Sequence, residues 1–202
     1  MKKLIIASMV SALMTGALSV PSYAADPTPE TTPVIVDGGK INFTGTVVAA
    51  PCAVDIPADG QNVELGQVTT SALATKGAVS SSKDFSIKLV GCDLSHDATD
   101  PTKAANYTSA SIIFDGDTLA DDNTTLSLKA DSAGETTAQN VGIQIQSNNK
   151  VVAIDGSTVA ATQALSADGD YEIPFTANYV ATAAGVVAGH ANSTATFKVS
   201  YE

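Results

Sequence analysis

The chain has 202 residues, 44% of them hydrophobic but only 5% aromatic, with no tryptophan, and a formal net charge of −11 at pH 7. Its ten basic residues are all lysines, against 21 acidic residues, so the clustered positive charge that displaces phosphate counterions is missing. A nucleic-acid binder is excluded on that ground, an anionic membrane surface is disfavoured, and the length fits one domain with a sizeable core.

Lys2 and Lys3 precede the apolar run from Leu4 to Val20, Pro21 breaks it, and Ser22-Tyr23-Ala24 supplies small residues at a cleavage site. Residues 1–24 therefore read as a secretory signal peptide. The run is interrupted by Ser, Thr and Gly, and a polar, Pro-rich stretch follows, which argues against a membrane anchor. No later stretch suits membrane insertion. Removing residues 1–24 takes away two lysines and no acid, leaving 178 residues and a formal charge of −13.

Residues 25–33 hold three prolines and no periodicity, so they read as an extended leader. A period-2 pattern follows, in which Ile41 and Phe43 alternate with Lys40, Asn42 and Thr44. Ile35 shares their parity, and Gly38-Gly39 places positions without side chains inside the pattern. Further strands are expected at about 45–50, 62–67, 84–91, 109–115, 124–130, 140–147, 150–154, 171–179 and 193–201. Turns at Asp59-Gly60, Asp115-Gly116, Asp121-Asp122-Asn123, Asn148-Asn149, Asp155-Gly156 and Asp168-Gly169 punctuate them. The Ala/Ser/Thr-rich stretch 69–82 suits a short helix or an irregular crossover. Many short strands without a βαβ rhythm point to an all-β, antiparallel sandwich of immunoglobulin type.

Cys52 and Cys92 are the only cysteines, and in an exported chain they point to one disulfide. A metal site is the weaker reading, since His96 is the only nearby partner for Cys92. No catalytic residue, cofactor or metal site is expected. His96 and His190 sit in loop contexts, no G-x-S-x-G occurs, and Asp115, Asp117, Asp121 and Asp122 lack the Gly and closing Glu of a calcium loop.

Four segments in order carry a family resemblance: VDGGKINFTGTVVAAPCAV (36–54), FSIKLVGCDL (85–94), NVGIQIQ (140–146) and YEIPFTANYVATAAGVVAGHANSTATFKVSYE (171–202). They resemble the major structural subunits of chaperone–usher fimbriae, the type 1 pilins. Gly189, fourteenth from the C-terminal end, and penultimate Tyr201 match that family's chaperone-recognition signature, with Phe197, Val199 and Tyr201 alternating. The resemblance implies a pilin fold, an incomplete immunoglobulin-like sandwich lacking its final strand, over residues 45–202. Residues 25–44 are then the leader and a donor-strand extension centred on Ile35, Gly39, Ile41 and Phe43. Implied partners are identical or related pilin subunits, a periplasmic chaperone at the edge of Phe197, Val199 and Tyr201, and an outer-membrane usher. The implied place is a surface fimbria, supporting cell adhesion. A minor adaptor subunit and a secreted sandwich-type binding domain are the alternatives.

Overall fold

The computed structural model describes residues 38–130 and 134–202; the expected signal peptide, the leader and Ile35 lie outside the described residues. The chain divides into two compact units, one up to Phe43 and the other Thr44–Glu202. In the first, described residues 38–43 form no strand, and Ile41 and Phe43 are exposed over 80% and 89% of their surface. The strands and sheets are those of the second unit.

Its strands are β1 (Ala53–Val54), β2 (Lys83–Cys92), β3 (Ser109–Gly116), β4 (Thr118–Leu119), β5 (Asp122–Leu126), β6 (Val141–Ser147), β7 (Lys150–Val151), β8 (Asp155–Ala164), β9 (Gly169–Ala181) and β10 (Ala195–Tyr201). One sheet runs β1-β2-β9-β6-β5-β4, with β7 added to β6, and the other runs β10-β3-β8. All these strand pairs are antiparallel.

The sandwich follows from period-2 burial. Ile87 and Leu89 on β2 and Ile173 and Phe175 on β9 are buried, while Lys88, Glu172 and Pro174 between them are exposed. Ile112 and Phe114 supply the opposing face from β3. Four phenylalanines join the sheets. Phe85 stacks on Phe175 at 5.5 Å, Phe175 meets Phe114 edge-on at 5.0 Å, and Phe114 meets Phe197 of β10 edge-on at 6.3 Å. Pro174 is tolerated because that stretch of β9 pairs only with β2; the β6 ladder begins at Thr176. Asn148 and Asn149 both have positive φ, 50° and 62°, the backbone of a tight type I′ hairpin between β6 and β7.

Three expectations need correction. Residues 45–50 form no strand, and Val47 is fully exposed. Residues 62–67 form none either, although Val63 and Leu65 are half-buried with the expected alternation. Strand β8 occupies residues read as a turn followed by nothing regular. Its Ser, Thr, Ala and Gln side chains carry little hydrophobic alternation, and two register shifts against β3 blur what there is. The 69–82 stretch is a crossover of turns with one bridge, Val79 to Val180.

Aspartate-capped turns close the loops. The Asp155 carboxylate accepts from the Ser157 and Thr158 N–H groups at 2.9 and 2.8 Å, from both hydroxyls, and from the Asn123 amide at 3.0 Å. The Thr158 and Ser157 N–H bonds hold its pKa far below the ordinary 3.8. Hydrogen bonds from Thr99 and Thr102 hydroxyls depress Asp97 and Asp100 in the same way. A depressed carboxylate stabilises the fold above its unfolded pKa and loses that contribution as pH falls through its folded value. Thermal melts from pH 7 to pH 2 are therefore expected to hold level above about pH 5 and fall below about pH 4. Asp155→Asn should shrink that acid-side fall; an unchanged acid limb would contradict the assignment.

Candidate functional site

β10 pairs with β3 on one side only; among the described residues no strand pairs with its other edge. The direction of its free groups follows from the ladder. Glu202 N–H donates to Ser109 O at 3.0 Å, and Ser109 N–H donates back to the Glu202 main-chain oxygen at 3.0 Å. The register runs unbroken from there, Tyr201 with Ala110 to Ala195 with Gly116. Bonded pairs alternate in an antiparallel ladder, so Ser200, Lys198 and Thr196 face β3. Phe197, Val199 and Tyr201 therefore turn their N–H and C=O groups to the open edge. Their side chains sit half-buried against the core, while Thr196, Lys198 and Ser200 are exposed. The open edge thus offers backbone bonding groups and a partly covered apolar face together.

The opposite wall is the segment from Cys52 to Val68. It starts beside the C-terminal end of β10, where Tyr201 Oη donates to Cys52 O at 3.3 Å. β1 then pairs with the end of β2, and Asp55 N–H donates to Lys88 O at 3.0 Å before the chain leaves that strand. At the far end Gly66, Gln67 and Val68 face residues 186–192 across a cavity of about 540 Å³ that Leu73 and Tyr179 also line. Between these points residues 61–68 make no backbone–backbone hydrogen bond with any described residue. Val63, Leu65 and Val68 are nevertheless half-buried, and Leu65 and Val68 pack on the core. A wall without a ladder, facing an unpaired strand edge, is a groove open to an extended chain.

The two cysteines form the disulfide, Cys52 to Cys92, at 2% and 4% exposure. It anchors the start of the wall to the end of β2. Gly189 lies where residues 187–190 cross residues 136–139. Ala138 N–H donates to His190 O and His190 N–H to Thr136 O, both at 2.9 Å. A β-carbon on Gly189 would stand 2.5 Å from Ala138 N and 2.6 Å from Thr136 O and the Thr137 carbonyl carbon. The glycine is required by a close backbone approach, a reason its position in the sequence does not disclose. Of the anticipated donor residues, Gly39, Ile41 and Phe43 are exposed in the first unit, and Gly39 has φ +106°.

Tyr107 and Tyr179 were not singled out by sequence. The Tyr107 ring meets Tyr201 edge-on at 6.4 Å, and Tyr179 Oη on β9 donates to Ala191 O at 3.4 Å. Burial raises the pKa of Tyr201, and burial followed by the Glu64 charge raises that of Tyr179, so both hydroxyls stay protonated donors. Only the spacing of tyrosines against the two walls, which needs the fold, marks them out.

Ser95, His96 and Asp93 lie together but do not form a hydrolytic triad. Ser95 Oγ at 3.0 Å and both Asp93 oxygens at 2.9 Å fall on the same nitrogen, His96 Nδ1, so no relay passes through the ring. Asp117 pairs with Lys129, and Asp122 accepts from Thr124 and Thr125. Among the described residues no three His, Cys, Asp or Glu groups gather to hold a metal.

Comparison with known proteins identifies the family. The family model for fimbrial protein matches residues 41–202. The type-1 fimbrial protein A chain of Escherichia coli is 42% identical over 191 residues, 92% of this chain and 94% of that protein. Among solved structures, a chaperone–usher pilus studied for rod uncoiling superposes with a TM-score of 0.65 at 29% identity, over 85% of this chain and 100% of that one. The P pilus rod subunit PapA gives 0.60 at 27% identity, over 76% and 100%. The chain belongs to the fimbrial protein family, as a non-enzymatic major subunit of a chaperone–usher fimbria at the cell surface.

Proposed function

We propose that the subunit polymerises by strand donation. The groove between residues 52–68 and β10 receives an extended segment from a neighbouring copy, and residues 34–44 of this chain fill the groove of the next. The observation that carries this is the pairing of two unsatisfied features in one chain. Phe197, Val199 and Tyr201 direct free backbone groups outward beside a half-covered apolar face, while Ile41 and Phe43 stand 80% and 89% exposed. An inserted strand satisfies the first and buries the second, at about 1.5–3 kcal/mol for each large side chain. Ile35 and Ile41 flank Gly39, which we assign to the shallow part of the groove. An open edge of this kind invites aggregation, so a periplasmic chaperone covers β10 until an outer-membrane usher receives the subunit.

Deleting residues 25–44 tests the reading. The truncated chain is expected to be exported and to form its disulfide, yet to yield no fibres and no SDS-resistant ladders that collapse on boiling. Ladders of normal length from that deletion would overturn strand donation by this segment.

A further inference from the structure

An empty groove with half-buried side chains along one wall is under hydrophobic pressure to close. Closure would remove the space that a strand must enter. Two tyrosine hydroxyls hold β10, one at its C-terminal end and one on the segment that leads into it. At its C-terminal end Tyr201 Oη reaches Cys52 O at 3.3 Å, and Cys52 is itself held by the disulfide to β2. Just before its N-terminal end, Tyr179 Oη, projecting from the central strand β9, reaches Ala191 O at 3.4 Å. Both anchors are firm, since Cys52 and Tyr179 are buried. The Tyr201 ring is steadied by Tyr107, whose own hydroxyl accepts from Ala98 N–H at 3.4 Å.

We infer that Tyr179 and Tyr201 are positioning residues for strand insertion, the Tyr201 hydroxyl holding the C-terminal end of β10 at a set distance from Cys52 and the Tyr179 hydroxyl tying the segment that leads into β10 to β9 while the groove is empty. This rests on the strand-donation reading above. The two contacts are matched in kind, each a tyrosine hydroxyl of a strand on the main-chain carbonyl of a residue outside the strands. Their importance belongs to the empty state. Once a strand lies in the groove, its own ladder to Phe197, Val199 and Tyr201 sets the spacing and the hydroxyls become redundant. The claim therefore separates kinetics from stability, which ordinary packing residues do not do.

The test uses the full secreted subunit and a fluorescent synthetic peptide of residues 34–44. Tyr179→Phe, Tyr201→Phe and the double variant keep each ring and remove only the hydroxyl. Insertion is expected to slow roughly 5-fold for each single variant and roughly 25-fold for the pair, as loss of one ordinary hydrogen bond apiece dictates. Peptide dissociation and the melting temperature of the filled complex should stay at wild-type values. Tyr171→Phe is the control. Its hydroxyl bonds Ser166 N–H, Ala167 N–H and Ala167 O in the turn that joins β8 to β9 and makes no hydrogen bond with β10 or with residues 52–68, so insertion should not slow. Wild-type insertion in the double variant would overturn the inference, as would a parallel fall in insertion rate and filled-state melting temperature. Failure of the wild-type subunit to take up the peptide would instead remove the strand-donation reading itself.

Discussion

Replacing both cysteines, Cys52→Ser with Cys92→Ser, is expected to destabilise the folded unit by about 4 kcal/mol. The bridge spans 40 residues of sequence, and closing a loop of that size restricts the unfolded chain by roughly that amount on the chain-entropy account. For a unit of this size the melting temperature should fall by roughly 8–16 °C. The native side contributes as well. Cys52 and Cys92 are buried, Asp93 N–H donates to Pro51 O at 2.9 Å, and β1 has only two residues of ladder to keep it on β2. Without the covalent tie, that short ladder has little to hold the first wall. Urea titration of the oxidised and double-serine forms measures the difference directly. A loss below about 1 kcal/mol would mean that the 52–92 loop is already ordered in the unfolded state.

The second large effect is expected at Gly189. Gly189→Ala should lower stability by about 3 kcal/mol, or roughly 6–12 °C in melting temperature. The added methyl meets three main-chain atoms at 2.5–2.6 Å, and none of them is the end of a flexible side chain. Relief requires residues 136–139 and 187–190 to separate, breaking the bonds between Ala138, His190, Thr136, Gln139 and Val187. Gly45→Ala provides the comparison, because nothing lies within 4 Å of its would-be methyl. Equal melting temperatures for the two variants would show that the crossing can open freely.

Much of this architecture was legible because burial imposes period 2 on long strands. The alternations in FSIKLV, VGIQIQ and YEIPF predict β2, β6 and β9, and they place the buried face correctly. Phe197, Val199 and Tyr201 were legible for the same reason. The stretch 62–67 shows the limit of that signal. Val63 and Leu65 record a face turned to the core, but a ladder needs a second strand, and none of the described residues supplies one. β8 was illegible because small polar side chains at the margin of a sheet leave no hydrophobic alternation to read. Gly189 was singled out by its position, yet the reason for a glycine there is a contact with residues some fifty positions earlier. The hydroxyl partners of Tyr179 and Tyr201 are carbonyls, which any residue carries, so no pattern of residue types could reveal them.

The place of the disulfide has a mechanical consequence. Tension applied through the N-terminal extension reaches the folded unit along residues 44–51 and meets Cys52 first. There the covalent bridge passes the load straight to Cys92, at the end of a ten-residue strand that lies beside the central β9. Residues 53–91, which include the wall as far as Val68, are shunted out of the path of a load that enters at Cys52. A pull that enters at Cys52 therefore cannot reel out the wall of the groove while the bridge is intact. Residues 61–68, which have no backbone ladder of their own, are thereby spared a load arriving from that side.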